Sequence, residues 1–309
     1  MALENPAILI GLTFVLGLVI GSFLNVVIHR IPIMLDREWR EQAREILADQ
    51  RPSESDPDDT RKQSDGAAGG EPTKPYNLLV PRSACPSCGA LIRASQNVPV
   101  VSYLLLKGKC ANCGVKISAR YPIVELATAL LSALVAWKFG FAWYTLAALV
   151  LTWTLIALTF IDFDTQLLPD SLTLPLMWLG LLLSLAHAGD TALPVDPHSS
   201  IVGAAAGYLS LWSVYQLFKL LTGKEGMGYG DFKLFAALGA WLGWQMLPLV
   251  ILLSAFTGAV VGIVLIVARG RDKNIPIPFG PYLAAAGWIA LMWGDTLVSS
   301  YLRASGIGQ

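Results

Sequence analysis

The sequence predicts an all-α polytopic membrane protein with about eight transmembrane helices and a small cytoplasmic zinc-binding module inserted after the first helix. Three observations predict it. Of the 309 residues, 54% are hydrophobic and only 14% are charged, against about 25% charged in an average soluble domain. The apolar residues fall in runs, and a bilayer core takes ~20 of them per helix. All four cysteines lie in one polar stretch, between Cys85 and Cys113.

The first apolar run covers residues 8–28. It has no positively charged segment ahead of it, and its basic residues follow, so it reads as a permanent helix rather than a cleaved signal peptide. A polar stretch, 30–120, comes next. Spans are then predicted near 123–137, 143–161, 172–186, 201–218, 232–242, 247–267 and 282–298. The sixth of the eight is short enough to be re-entrant, which would leave seven. Three regions result: 1–29, the first helix; 30–120, a cytoplasmic domain; and 121–309, a membrane-embedded domain. Within the cytoplasmic domain, 35–47 reads as a charged helix. Residues 49–73 are polar and rich in Pro, Gly and Ser, unable to bury enough apolar area to offset ordering entropy, and read as disordered. Residues 76–120 form the cysteine module.

Charge placement orients the bundle. With eight spans, 20 of the 22 basic residues fall on one side and only Lys138 and Arg303 on the other. Basic residues concentrate in cytoplasmic loops, so the first side is cytoplasmic. The net charge of zero argues against a nucleic-acid binder, which would need a basic face. The three histidines, His29, His187 and His198, are too scattered for a shared metal or catalytic site. Trp137, Trp143 and Trp244 fall near span ends, as an interfacial aromatic belt requires.

The cysteines read Cys85-Pro-Ser-Cys88-Gly89, then Cys110-Ala-Asn-Cys113-Gly114. Each CxxC is a tight turn that aims two sulfurs at one point, and the glycine that follows lets the backbone fold over a metal. Two such turns supply the four thiolates of a closed structural zinc site. Two disulfides are the alternative, and the cytoplasmic placement disfavours it. A closed site folds the module and leaves no open position for chemistry.

Two acidic clusters stand at predicted span ends on the cytoplasmic side: Asp162, Asp164 and Asp170, and Asp231 within Gly228-Tyr229-Gly230-Asp231-Phe232-Lys233. Acids at membrane depth are costly unless used or hydrated. Two carboxylates at one depth on neighbouring helices can share a proton, one activating water while the other polarises a peptide carbonyl. Gly228 and Gly230 are expected to bend the backbone, admit a substrate strand and permit positive φ, with Asp231 at a helix N-terminus. Asp164 and Asp170 also read as a hydrated loop and a helix start. On charge cost alone, a protease and a proton or ion path are level.

The motifs separate them. The run from Lys224 to Lys233 resembles the prepilin peptidases, which are intramembrane aspartic proteases of the GxGD type. So do Gly21-Ser22-Phe23-Leu24-Asn25 with His29-Arg30, Arg120-Tyr121-Pro122-Ile123-Val124-Glu125, Ile161-Asp162 with Leu168-Pro169-Asp170, and Pro276-Ile277-Pro278-Phe279-Gly280-Pro281. The resemblance covers essentially the whole chain and departs only in the length and polarity of 49–73. It implies a bifunctional enzyme of the bacterial inner membrane. Such enzymes cut the basic leader of type IV prepilins and type II secretion pseudopilins on the cytoplasmic side, then methylate the new N-terminal residue from S-adenosylmethionine. By position, Asp162 and Asp231 become the catalytic pair, and the four-cysteine form is the one associated with methyl transfer. The resemblance does not place the S-adenosylmethionine pocket or set an oligomeric state. The competing readings are a zinc-regulated transporter that uses Asp162 and Asp231 as a proton relay, and a scaffold that binds pilins without cutting them.

Further expectations follow for single residues. Asp162, Asp164 and Asp170 would meet the leader's basic residues, so charge reversal at Asp164 or Asp170 should raise KM for long basic leaders. Glu125 is expected to pair with a basic residue. Pro276, Pro278 and Pro281 would shape the start of the last span. The 21–25 block reads as helix packing or catalysis, small residues in a span being more often packing.

Overall fold

The computed structural model describes residues 5–49, 76–93, 96–187, 195–269 and 277–306. The expectation of disorder over 49–73 falls outside these, apart from Asp49, which ends a helix. Nine α-helices carry the described chain: α1 Pro6–Asp49, α2 Val101–Leu105, α3 Arg120–Phe139, α4 Trp143–Thr165, α5 Asp170–Ser184, α6 Pro197–Thr222, α7 Tyr229–Leu242, α8 Leu247–Arg269 and α9 Gly280–Ala304. Each of the eight predicted apolar segments coincides with one of them. Five helices are long and apolar enough to cross a membrane: α1, α3, α4, α6 and the Trp244–Ala268 segment that contains α8.

The charged helix expected at 35–47 is not separate. It is the second half of α1, which runs 44 residues without a break and carries Pro32 inside it. At 1.5 Å per residue that is about 66 Å, roughly twice a bilayer core of ~30 Å. The polar half is fully solvated, and Asp36 and Arg40 pair across one turn at 2.9 Å.

Small residues set how closely the helices approach. A Cβ on Gly17 would lie 2.6 Å from the Ala129 Cα, and one on Gly21 would lie 2.6 Å from the Glu125 Cα. The four-residue spacing of these glycines cuts a groove in α1 that receives α3. The 21–25 block therefore does serve packing. Gly203 and Gly239 do the same for α6 against α7, where an added Cβ at either would collide with the other's backbone.

The short α7 is the centre of the molecule. Ten of its 14 residues are buried. Phe232, Leu234 and Leu238 are among the largest fully enclosed side chains, and they pack with residues of α4, α6, α8 and α9 in the main core. A second core joins Leu24, Val27 and Ile28 of α1 to Val124 of α3 and Ala157 and Ile161 of α4. Trp137 and Trp143 are 62% and 77% exposed at facing helix ends, and Trp244 is 47% exposed just beyond α7, as an aromatic belt requires.

Side-chain contacts sort the helix ends. Arg120 at the start of α3 pairs with Asp164 at the end of α4. Lys233 in α7 pairs with Asp170 at the start of α5. Arg30 in α1 donates to Asn77 O and Pro81 O at the start of the cysteine module. The ends carrying most of the basic residues thus meet at one end of the bundle. At the other, Gln245 beyond α7 donates to Ser199 of α6 at 3.2 Å.

Candidate functional site

The two predicted aspartates arrive from helix ends of opposite polarity. Asp162 lies in the last turn of α4, which stops at Gln166 in the left-handed conformation, φ 54°. Pro169 then sets the extended residue ahead of α5. Asp231 lies in the first turn of α7, with Gly228 as the residue capping that helix. The N-terminal position expected for Asp231 is therefore observed, and the helix dipole favours an anion there.

Both side chains are enclosed, Asp162 4% and Asp231 7% exposed. Each keeps a buried oxygen with no hydrogen-bond partner, Asp162 Oδ2 and Asp231 Oδ1. The Gly280 backbone N–H faces the Asp162 carboxyl and the Gly228 N–H faces the Asp231 carboxyl, while Asp162 acts electrostatically on Asp231. Buried polar atoms are almost always satisfied. Two orphaned oxygens on interacting acids mark a place built for water or a polar substrate.

The glycines differ from expectation in one respect. Gly228 has φ −79° and Gly230 is helical, and neither is among the positive-φ residues. Gly230 is needed for close approach: a Cβ there would sit 2.7 Å from Leu168 Cβ. Gly280, which sequence reasoning did not single out, is tighter on the acid itself. A Cβ on it would lie 2.6 Å from Asp162 Oδ2 and 3.1 Å from Leu168 Cδ1. Leu168 thus lies between the two glycines, one beside each aspartate. The Pro-Phe-Gly-Pro string was a signal for Gly280, but nothing local says which helix it faces. Pro276 lies outside the described residues.

The flanking acids are already engaged. Asp164 Oδ1 accepts from Arg120 Nη1 at 2.6 Å, and Arg120 also donates to Phe160 O at 3.3 Å. Asp170 accepts from Lys233 Nζ at 2.7 and 2.6 Å. Each acid thus already has a basic partner, with which the basic leader expected there would have to compete. Glu125 also departs from expectation. Its Oε2 accepts the Val100 N–H at 2.7 Å and Ser22 bonds to it as well, with no ion pair among the described residues. Tyr229, inside the GxGD motif, packs on Tyr215 and Phe232 at 5.4 and 5.6 Å. The Lys219–Glu225 pair, at 2.8 Å, ties the end of α6 to the loop that follows it.

The four cysteine sulfurs lie within 4.8 Å of one another, and all four thiols are free. The module repeats one turn twice. The Cys85 N–H donates to Ala90 O and the Gly89 N–H to Cys85 O; the Cys110 N–H donates to Val115 O and the Gly114 N–H to Cys110 O, all at 2.9 Å. Gly89 and Gly114 have φ 69° and 72°, the left-handed region that glycine enters without steric cost, and so let the chain fold back over the sulfurs as expected. The short helix α2 lies between the two turns. Asn112 Nδ2 donates to Cys88 Sγ at 3.5 Å. That bond, with help from the Ala90 backbone, holds the Cys88 thiol down, to about 6. Four thiols at this spacing fit a tetrahedral metal, since a Zn–S bond of about 2.3 Å implies sulfurs about 3.8 Å apart, and Cys85 and Cys113 already stand at 3.9 Å.

Comparison with known proteins matches two stretches of the chain, divided between α3 and α4. The bacterial peptidase A24 N-terminal domain matches residues 15–139, and the type IV leader peptidase family matches 149–263. The chain is 56% identical over 297 residues to the prepilin leader peptidase/N-methyltransferase of Aeromonas salmonicida (strain A449), covering 96% of this chain and 95% of that one. It is 54% identical over 303 residues to that of Pseudomonas aeruginosa, covering 98% and 97%, and 50% identical over 288 residues to that of Neisseria gonorrhoeae, covering 93% and 92%. No solved structure matches.

Proposed function

The chain belongs to the type IV leader peptidase family, and on that premise we propose that it is a prepilin leader peptidase and N-methyltransferase. It removes the leader from type IV prepilins and type II secretion pseudopilins, then methylates the exposed N-terminal residue with S-adenosylmethionine as donor.

Asp162 and Asp231 carry the cleavage. The observation behind this is their pairing: two buried acids on neighbouring helix ends, each with an orphaned oxygen. Asp162 acts electrostatically on Asp231, and two buried acids so coupled do not both ionise, so the pair holds one proton. The ionised carboxylate takes a proton from water as the water attacks the scissile carbonyl. The protonated carboxyl donates to the developing oxyanion, and the proton then passes to the leaving amine. The Gly280 and Gly228 N–H groups orient the two carboxyls. Gly230 and Gly280 leave the backbone thin beside the acids, which gives an extended substrate room once Leu168 moves aside.

Zinc on Cys85, Cys88, Cys110 and Cys113 would fold the module and supply no step of the cleavage. The chain has eight spans, α1 and α3 to α9, in the bacterial inner membrane. The aspartates and the cysteine module face the cytoplasm, in keeping with the sorting of basic residues. Its regions are the first helix, a cytoplasmic domain to about residue 120, and a membrane-embedded peptidase beyond it. A substrate's apolar helix would lie in the bilayer with its scissile bond at the level of Asp162 and Asp231.

The test is cleavage of a prepilin by the purified protein, followed by product mass. Asp162→Asn and Asp231→Asn should each abolish leader loss while leaving metal content unchanged. Leader loss at the unmutated rate in either variant would overturn the assignment.

A further inference from the structure

Three sequence blocks take no part in the cleavage: residues 21–25, residues 120–125 and the cysteine module. The structure brings them to one place. Glu125 lies in the second turn of α3 and is 8% exposed. Its Oε2 accepts the Val100 N–H from the module at 2.7 Å. Ser22 of α1 hydrogen-bonds to the same carboxyl. One turn back on α3, Asn25 Nδ2 donates to Tyr121 O at 3.1 Å. The floor is buried, and the rim at Ser22 and Asn25 is half-open.

Two features are costly for a merely structural contact. A buried carboxylate at membrane depth needs a compensating charge, and no ion pair reaches Glu125 among the described residues. Val100, a β-branched residue, has φ 59°, a conformation that costs about 1–3 kcal/mol and recurs at functional sites. That conformation presents its N–H to Glu125.

The position is also suggestive. Arg120 touches Phe160 and Asp164 of α4, and Val124 packs with Ile161 and Ala157. Glu125 therefore lies on the helix beside that of Asp162, about one turn further along it.

We propose that Glu125 is the proton acceptor of a second, amine-binding site at the junction of α1, α3 and the cysteine module, and that this site receives the α-ammonium of the cleaved chain for methylation. This rests on the bifunctional reading above. Glu125 takes one proton from the ammonium. The nitrogen lone pair then attacks the methyl carbon of a sulfonium donor. The N–C bond forms, the S–C bond breaks, and its electron pair stays on sulfur as a neutral thioether. Ser22 and the Val100 N–H hold the carboxylate in place.

The experiment uses the full-length enzyme with prepilin and S-adenosylmethionine, following leader loss, methyl gain and bound metal together. A glutamine at 125 can still accept from Val100 but cannot take the proton. Glu125→Gln should therefore keep its metal and its cleavage rate, while methylation falls about 100-fold or more and loses its pH inflection. Glu125→Asp should retain partial methylation with the inflection present. Wild-type methylation in Glu125→Gln would overturn the proposal. So would a parallel loss of metal, cleavage and methylation in both variants, which marks a structural latch. If the unmutated enzyme cuts but never methylates, the bifunctional reading fails instead.

Discussion

Replacing Gly280 with alanine puts the smallest possible perturbation against one carboxyl. The added Cβ would stand 2.6 Å from Asp162 Oδ2, where ordinary contact begins at 3.4 Å. The carboxyl must retreat by roughly 0.8 Å, or α9 must shift by as much, and Leu168 Cδ1 at 3.1 Å closes one way out. A misplacement of ~1 Å in a catalytic group can cost about 100-fold in rate, close to 2.7 kcal/mol. The backbone does not object: Gly280 has no positive φ, and alanine is the best helix former. Stability should thus hold while kcat for prepilin cleavage falls between about 10- and 100-fold. The assay is leader loss under saturating substrate, with thermal unfolding in detergent as the control. If Gly280→Ala cuts within twofold of the unmutated enzyme, the carboxyl position is not what limits the rate, and the argument from close approach is wrong.

Asp164→Asn should change KM for basic leaders by less than about twofold, because Arg120 already neutralises this acid and exposed pairs of its kind contribute ~0–1 kcal/mol; KM measured across leaders of differing charge checks this. Gly21→Val should destabilise the protein by about 1–3 kcal/mol by forcing α3 away from α1, read as a lower unfolding midpoint in detergent. Cys110→Ser should lower bound zinc and expose the 76–119 region to protease. Chelation of the unmutated protein should impair methylation before cleavage, seen as product that has lost its leader without gaining a methyl group.

Much of this molecule is legible in sequence because membranes impose simple rules. Apolar runs of the right length must be helical, and each of the eight landed on a helix. The two CxxC-Gly units forecast their own tight turns and the gathering of four sulfurs within 4.8 Å, whereas the positive φ expected at Gly228 and Gly230 went instead to Gly89 and Gly114. What escaped is lateral. Nothing local to Gly280 says that it meets Asp162, 118 positions earlier in the chain, and nothing near Glu125 says that its partner is a backbone amide from the module rather than a basic side chain. The charged segment after residue 34 looked like a separate helix because its composition changes abruptly, yet a helix backbone is indifferent to a change of solvent. The partners of the acids at 164 and 170 were not foreseen because Arg120 and Lys233 are distant in the chain and adjacent only in the fold.

The brevity of α7 bears on how such a protein is made. A 14-residue helix reaches only about 21 Å, less than the ~30 Å of hydrocarbon, so it serves as a span only where the other helices enclose both its ends. Lipid cannot shelter its ends, so neighbouring helices must. Its burial draws on α4, α5 and α6, which precede it in the chain, and on α8 and α9, which follow it. The motif that could hydrolyse peptide bonds is thus assembled among the last parts of the protein, and a truncated chain would lack the enclosure that sets its acids to work.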